Sequence, residues 1–348
     1  MGGDVRKTRF STAETEAFAQ KLQADLEALQ RILLRPGFGV GAATLGAELE
    51  FFLVDGRGRP VPIARPVLAR ALDPRLSLEI DRFNLEFNAS PVTLRGRPFS
   101  QLADDLRRSM RAIDAAAAGH GGRVAMIGIL PTLTEADLDA NAMVDLHRFH
   151  ALAEGIRRAR RGPFVIDIQG RESLRIDCEE VTLEGANTGF QVHLRVPPER
   201  FADAYNAAQM ATAPALAVSA NSPIFLGCQL WEETRIALFR QAVDERAPES
   251  AWRPGRVSFG HGWLRGGVNE LFAECVALHR PLLPQSFEED PLAVVARGGV
   301  PELGELRLHA GTVWTWNRPV YDPADGGHLR IELRALPAGP TVRDMVAS

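Results

Sequence analysis

Glu48 and Glu50 are separated by one residue, the repeat at which a β-strand returns to the same face, so one strand can present both carboxylates to one side of a sheet. The spacing recurs in three further segments. Asn84, Glu86 and Asn88 alternate with apolar residues, as do Gln191, His193 and Arg195, and again Arg330, Glu332 and Arg334. Glu48, Glu50, Glu86 and Glu332 are the hard oxygen ligands that Mg²⁺ or Mn²⁺ takes, and His193 adds a nitrogen ligand more typical of Mn²⁺. Arg195, Arg330 and Arg334 carry planar forks suited to phosphate or carboxylate oxygens.

An antiparallel sheet with one solvated face alternates in the same way, and any one of these strands alone is read so first. Solvated faces draw on Thr, Lys and mixed polar residues, whereas these four hold Glu, His, Arg, Asn and Gln with no Lys, Ser or Thr. Crowded on one concave face, the carboxylates would repel by on the order of 4 kcal/mol per pair at about 4 Å and an effective dielectric near 20, and bound cations relieve this. Metal ions joining carboxylates to a polyphosphate are the usual setting for ATP-dependent phosphoryl transfer. No Walker A sequence or kinase-type glycine loop offers a different nucleotide site.

Positioning such a face needs a mixed chain of strands and helices. Strands are expected over 44–54, 82–89, 123–130, 163–169, 189–196, 305–309 and 328–335, bounded by Gly, Pro, Asn and Asp. Helical periodicity is expected from about 11 to 35, 100–119 and 143–161, with further helices over 198–217, 229–245 and 268–278. The Gly/Pro-rich stretch 247–267 reads as a long surface loop. With 348 residues and no flexible linker or internal repeat, one domain over 1–348 is the expectation.

Hydrophobic residues at 45% and charged residues at 24% place the chain among globular proteins rather than disordered or membrane-spanning ones. A net charge of −4 advertises neither a nucleic acid nor a membrane surface as partner. Cys178, Cys228 and Cys275 are odd in number and far apart, which fits neither a disulfide framework nor a CxxC metal site and points to a reducing cytosol. The N-terminus, Met1 to Arg6, lacks a signal-peptide apolar core, so a cytoplasmic protein is expected.

Five motifs then resemble a known family. They are Gly46-Ala47-Glu48-Leu49-Glu50-Phe51-Phe52, Thr188-Gly189-Phe190-Gln191-Val192-His193-Leu194, Ser219-Ala220-Asn221-Ser222-Pro223-Ile224-Phe225-Leu226-Gly227, Glu233-Thr234-Arg235-Ile236, and His328 through Pro337. In this order they are similar to the glutamate–cysteine ligase type 2 and carboxylate–amine ligase family of the glutamine-synthetase-like superfamily. The resemblance covers about 44–340 and implies an α+β fold. Its curved, mostly antiparallel sheet forms a funnel-shaped active site, with helices packed on the convex side.

The resemblance further implies an ATP-dependent ligase that activates a glutamate-type carboxylate as an acyl phosphate and couples it to an amine. Carried over by position, Glu48, Glu50, Glu86, His193 and Glu332 become metal ligands for Mg²⁺ or Mn²⁺. Arg334 becomes the arginine on the transferring phosphoryl group, with Arg330 beside it. Arg195 and Arg330 face the nucleotide, and Arg235 lies near the substrate carboxylate, with Gln191 and Asn221 as further substrate contacts. The partners implied are a small carboxylate and an amine, with a homo-oligomer left open. The family usually continues into further helices beyond Pro340-Thr341-Val342-Arg343-Asp344-Met345, so a short or truncated C-terminus is expected.

Other features carry less. His147 and His150 read as surface histidines of a helix, and Arg157-Arg158-Ala159-Arg160-Arg161 as the cationic end of that helix rather than a nucleic-acid patch. Acidic neighbours argue against a nucleophilic Cys178. His309 and Trp314 are read equally as pocket mouth or core. Two alternatives stand beside the ligase reading: a guanidino-type phosphotransferase of the same superfamily, and a non-catalytic binding or regulatory homologue.

Overall fold

The structure is a computed structural model that describes residues 5–348. The sequence reading of Met1–Asp4 lies outside the described residues. Strands of three or more residues are β1 (Thr44–Val54), β2 (Leu76–Leu78), β3 (Asn84–Thr93), β4 (Arg123–Ala125), β5 (Phe164–Gln169), β6 (Ser173–Cys178), β7 (Phe190–Arg195), β8 (Asn317–Asp322) and β9 (His328–Leu333). The helices begin with α1 (Thr12–Leu33), α2 (Ala64–Ala71), α3 (Pro98–Ala118), α4 (His147–Arg160) and α5 (Phe201–Ser219). They continue with α6 (Arg235–Ala242), α7 (Val268–Leu278), α8 (Pro291–Ala296), α9 (Gly304–Ala310) and α10 (Val342–Ala347).

Seven strands form one curled sheet in the order β8-β9-β7-β1-β3-β2, with β4 pairing the end of β1, and every pairing is antiparallel. The alternation in β1 decides which side becomes core. Leu45, Ala47, Leu49, Phe51 and Leu53 point to one face, where Leu85, Phe87 and Ala89 of β3 join Leu102, Leu106, Met110 and Ile113 of α3. Burying side chains of this size contributes roughly 1.5–3 kcal/mol each, and a one-residue register slip would exchange this face for the charged one. The α+β class, the mostly antiparallel sheet and the helical layer on its apolar face agree with the sequence expectation.

The charged face has an end. After Glu48 and Glu50, the same side of β1 continues with Phe52 and Val54, which enter a second apolar cluster with Phe83, Ile129, Ile166, Ile168, Phe225 and Leu238. The β5–β6 hairpin and α6 supply part of this plug. It closes the base of the polar face beyond Glu50.

Several expected elements differ. Residues 305–309 alternate like a strand, yet they form helix α9, whose N-terminus has no local side-chain cap. The cap comes from a distant element instead: Asp25 of α1, itself buried, accepts the Leu306 N–H at 2.8 Å. Expected helix 229–245 shrinks to α6, because Cys228 and Gln229 pair with Phe225 and Ile224 as a short hairpin. The stretch 247–267 contains a pairing of Val257 and Ser258 with Trp314 and Thr315. Strands β6 and β8 were not expected; Pro319 inside β8 masks its alternation.

Candidate active site

Backbone register brings the four polar strand faces together. Arg318 of β8 lies opposite Glu332 of β9, Glu332 opposite His193 of β7, Gln191 opposite Glu48 of β1, Glu48 opposite Asn88 of β3, and Glu50 opposite Glu86. One atom each from Glu48, His193 and Glu332 lies within 4.8 Å of the others. His193 Nε2 stands 3.0 Å from Glu48 Oε1, yet neither ring nitrogen has a hydrogen-bond partner, although both are buried. Orphaned, converging donors of this kind fit a divalent cation, for which one nitrogen and several carboxylate oxygens are a sound donor set.

A hydrogen-bonded chain ties this group to the next. Glu332, fully buried, accepts from Arg318 Nε at 2.6 Å and from Arg334 Nη1 at 2.5 Å. Arg334 also donates to Gln191 Oε1 at 2.6 Å, and Gln191 Nε2 donates to Glu50 Oε1 at 2.6 Å. The Gly189 N–H completes the chain on Glu50 Oε2 at 2.6 Å. Gln191 is thus oriented by an arginine at one end of its amide and a carboxylate at the other.

The carboxylates differ electrically along this face. Burial pushes Glu332 up, but Arg318, Arg334 and His193 outweigh it and hold its carboxyl below the usual range. At the β3 side, burial and the neighbouring Glu48, Glu79 and Glu50 push Glu86 well above that range. Glu86 accepts from Asn88 Nδ2 at 2.7 Å and from Ser77 Oγ at 3.3 Å. Glu79 and Glu184 join it: burial and neighbouring carboxylates raise each to about 8. Beneath them Asp81 is fully buried with both carboxylate oxygens unpartnered, and burial raises it well above the carboxylate range.

Glu48, Glu50, Glu86, Gln191, His193, Glu332 and Arg334 therefore meet on one surface. Arg195 and Arg330 sit opposite each other one step farther along the same face; Arg330 donates to Asp322 Oδ2 at 2.5 Å and Arg195 to the Val40 carbonyl at 3.2 Å. Arg235 and Asn221 stand in the wall behind. Arg235 is 4% exposed and donates to Glu233 Oε1 at 3.0 Å and to the carbonyls of Ala335 at 2.9 Å and Arg334 at 3.2 Å, while Asn221 Nδ2 donates to the Ala338 carbonyl at 2.9 Å. Both side chains fix the segment that follows Arg334.

Sequence reasoning missed Arg318, Glu79 and Glu184. Alternation on β8 would have exposed Arg318 once Arg318-Pro319-Val320 was read as a strand. Glu79 follows a three-residue strand and Glu184 lies in a 3₁₀ turn, so neither shows a face by periodicity. His309 and Trp314 are core residues: both are buried, His309 Nε2 lies 3.2 Å from the Cys275 carbonyl, and Trp314 meets Phe239 edge-on.

A curled antiparallel sheet whose polar face gathers acid, imidazole and guanidinium groups defines a protein class, and the comparisons with known proteins specify it. Residues 44–252 match glutamate–cysteine ligase family 2. The chain belongs to this family. A Mycolicibacterium vanbaalenii protein provisionally named glutamate–cysteine ligase 2-2 is 34% identical over 91 residues, covering 26% of this chain and 24% of the relative. The crystal structure of glutamate–cysteine ligase from Francisella tularensis in complex with AMP shares the fold, with a TM-score of 0.50 and 11% identity. That likeness covers 86% of this chain and 62% of the other. A bifunctional glutathione synthetase from Pasteurella multocida gives a TM-score of 0.40 at 11% identity, covering 92% and 39%. This chain thus spans less than two thirds of these proteins. No helix among the described residues is long and apolar enough to cross a membrane.

Proposed function

We propose that the protein is an ATP-dependent carboxylate–amine ligase that makes an amide through an acyl phosphate, with Mg²⁺ or Mn²⁺ as cofactor, in the cytoplasm. The observation that carries the reading is the convergence of Glu48, His193 and Glu332 beside a buried Arg334. A divalent cation held by these residues, and by Glu50, Glu79 and Glu86 alongside, would neutralise polyphosphate charge.

The chain's own groups divide the remaining work. In the first step a carboxylate oxygen of the acid attacks the γ-phosphorus, the bond to the bridging oxygen breaks, and ADP leaves with the electron pair. In the second the neutral amine attacks the acyl carbon, the carbon–oxygen bond breaks, phosphate departs, and the nitrogen gives a proton to solvent. Arg334, anchored by Glu332 and Gln191, presents its guanidinium where charge spreads over the transferring group. Gln191 and Glu332 hold that fork in place, and Arg318 keeps Glu332 ionised. Arg195 and Arg330 offer cations farther along the face for the nucleotide. The three free cysteines support a reducing compartment.

The test is a screen for ADP release with ATP, Mg²⁺ or Mn²⁺, a panel of carboxylates and a panel of amines, read by mass spectrometry. Amide together with ADP is the expected result. A phosphorylated guanidino product without amide would make the protein a phosphotransferase, and ATP binding without turnover would make it a non-catalytic homologue.

A further inference from the structure

Arg195 of β7 and Arg330 of β9 stand directly opposite each other, a position in which Cβ atoms are about 5 Å apart and two like charges destabilise the sheet. Between them they have one carboxylate. Asp322 Oδ2 accepts from Arg330 Nη1 at 2.5 Å, while Arg195 has no acidic partner among the described residues. The hydrogen bond that Arg195 does make runs from Nη2 to the Val40 carbonyl at 3.2 Å. The Nε of each arginine is buried and unpartnered. Buried donors left in this state are costly, and two of them on opposed guanidinium groups call for a shared oxyanion.

Arg330 is oriented by its own hairpin. Its Nη1 also lies 3.2 Å from His328 Nε2, and His328 Nδ1 lies 3.3 Å from the Ala324 carbonyl. A carbonyl only accepts, so Nδ1 carries the ring proton and Nε2 is left to accept from Arg330. Burial lowers His328 below the usual histidine range, and both arginines add to this. Asp322 is fixed in turn by the Ala324 N–H, which donates to Oδ1 at 3.0 Å. Both contacts to Arg330 fall on Nη1, so the Nε–Nη2 edge of its fork is left clear for a bidentate grip. Across from it the loop 35–43 presses on Arg195: a Cβ at Gly41 would meet Arg195 Cζ at 2.7 Å. Phe38 anchors this loop on Tyr321 of β8, with ring centroids 6.3 Å apart.

The strands act as a ruler. The apolar plug closes the face beyond Glu50, whereas Arg195 and Arg330 lie two residues past His193 and Glu332 in the opposite direction, toward the open end. Two residues advance a strand by about 7 Å. A triphosphate bridges such a span between its terminal and its first phosphorus. With the terminal phosphoryl group at Arg334 and a cation at Glu48, His193 and Glu332, the first phosphate therefore reaches the arginine pair. We infer that Arg195 and Arg330 form the subsite for the α-phosphate of the nucleotide, and that His328 and Asp322 are positioning residues that aim Arg330 at it. This rests on the ligase reading above and deepens it. No bond forms or breaks at the α-phosphorus, so the contact holds substrate and transition state alike, in contrast to Arg334.

The test is calorimetry on the full chain with Mg²⁺ and adenosine, AMP or ATP, followed by ADP-release kinetics with an active acid and amine. AMP is expected to bind wild-type protein at least about tenfold tighter than adenosine, the scale of hydrogen bonds to a charged group. Arg195→Gln and Arg330→Gln are expected to remove most of that ratio and to leave adenosine unaltered. His328→Leu is expected to lower AMP affinity and raise KM for ATP with kcat changed much less. His328→Gln, which keeps an acceptor for Arg330 Nη1, is expected to restore both, a rescue that a merely structural role would not give. Gly41→Ala displaces the Arg195 guanidinium without removing its charge; it is expected to weaken AMP but not adenosine, and it keeps the test alive if an arginine variant fails to fold. Equal binding of AMP and adenosine, or an AMP affinity that no variant moves, overturns the inference. A rise in KM for the acid with nucleotide affinity unchanged also overturns it, making the pair a carboxylate subsite. Selective loss of AMP binding without amide from any acid and amine supports the phosphate subsite and overturns the ligase reading alone.

Discussion

At the β9 end of the polar face Glu332 lies between Arg318 and Arg334 and is held ionised, whereas at the β3 end Glu79, Glu86 and Glu184 face one another and are pushed toward protonation. Both ends are buried and both are built from glutamates, so desolvation alone does not separate them. The difference is the supply of cations from the chain. One end is balanced by arginines and is a preorganised electrostatic wall; the other is short of positive charge and waits for it from outside.

The largest expected effect breaks the balanced end. Arg334→Lys keeps the charge but loses the planar fork, of which Nη1 is held by both Glu332 and Gln191, and kcat is expected to fall at least roughly 10²-fold, with the Kd for ATP changed much less. Steady-state kinetics and calorimetry check this; equal losses in kcat and ATP affinity would remove the distinction between the ends. Next, ATP binding is expected to weaken at least about tenfold in chelator, because bare carboxylates repel polyphosphate. Tight metal-free binding by calorimetry would sink the assignment of the carboxylates to a cation site.

Glu86→Gln sharpens the comparison at the other end. It is expected to raise the Mg²⁺ concentration for half-maximal rate by roughly tenfold, with partial rescue by Mn²⁺, while the chelated protein changes stability by no more than about 0.5 kcal/mol. That small cost follows because burial and the neighbouring carboxylates already push the Glu86 acid toward its neutral form, which the amide mimics. Unaltered metal dependence would place Glu86 outside the site.

The smallest effect is a pH slope. Glu79 and Glu184 have folded values of about 8 against an ordinary 4.5, so between those values the folded chain binds protons that the unfolded chain has released. Their contribution is complete below about 4.5 and is lost as pH rises through about 8. Chelated protein is therefore expected to lose at least about 1.4 kcal/mol across this window, the worth of one pKa unit. Denaturant titrations with and without saturating Mg²⁺ test it, since the metal is expected to flatten the slope; a rise in stability with pH would contradict the charge assignment.

How much of this was legible in the chain depended on whether a residue sat in a regular strand. Glu48, Glu50, Glu86, Gln191, His193, Glu332 and Arg334 declared themselves because the two-residue repeat assigns a face without knowledge of the partner strand. Glu79 and Glu184 lie outside such repeats, and their place depends on tertiary proximity. Alternation misled at 305–309, where the cap from Asp25, some 280 positions earlier, favours helix over strand. Arg235 was assigned near the substrate carboxylate by resemblance; the structure gives its guanidinium partners within the chain, which periodicity could not have foreseen.

The antiparallel register also bears on how such a protein diverges. Glu48, Gln191, His193 and Glu332 are neighbours only because two strand pairings align them, so inserting or deleting one residue in any of those three strands turns its ligands into the core. Descendants of one ancestor can thus exchange single residues on this face more readily than they can change the length of the strands that carry it.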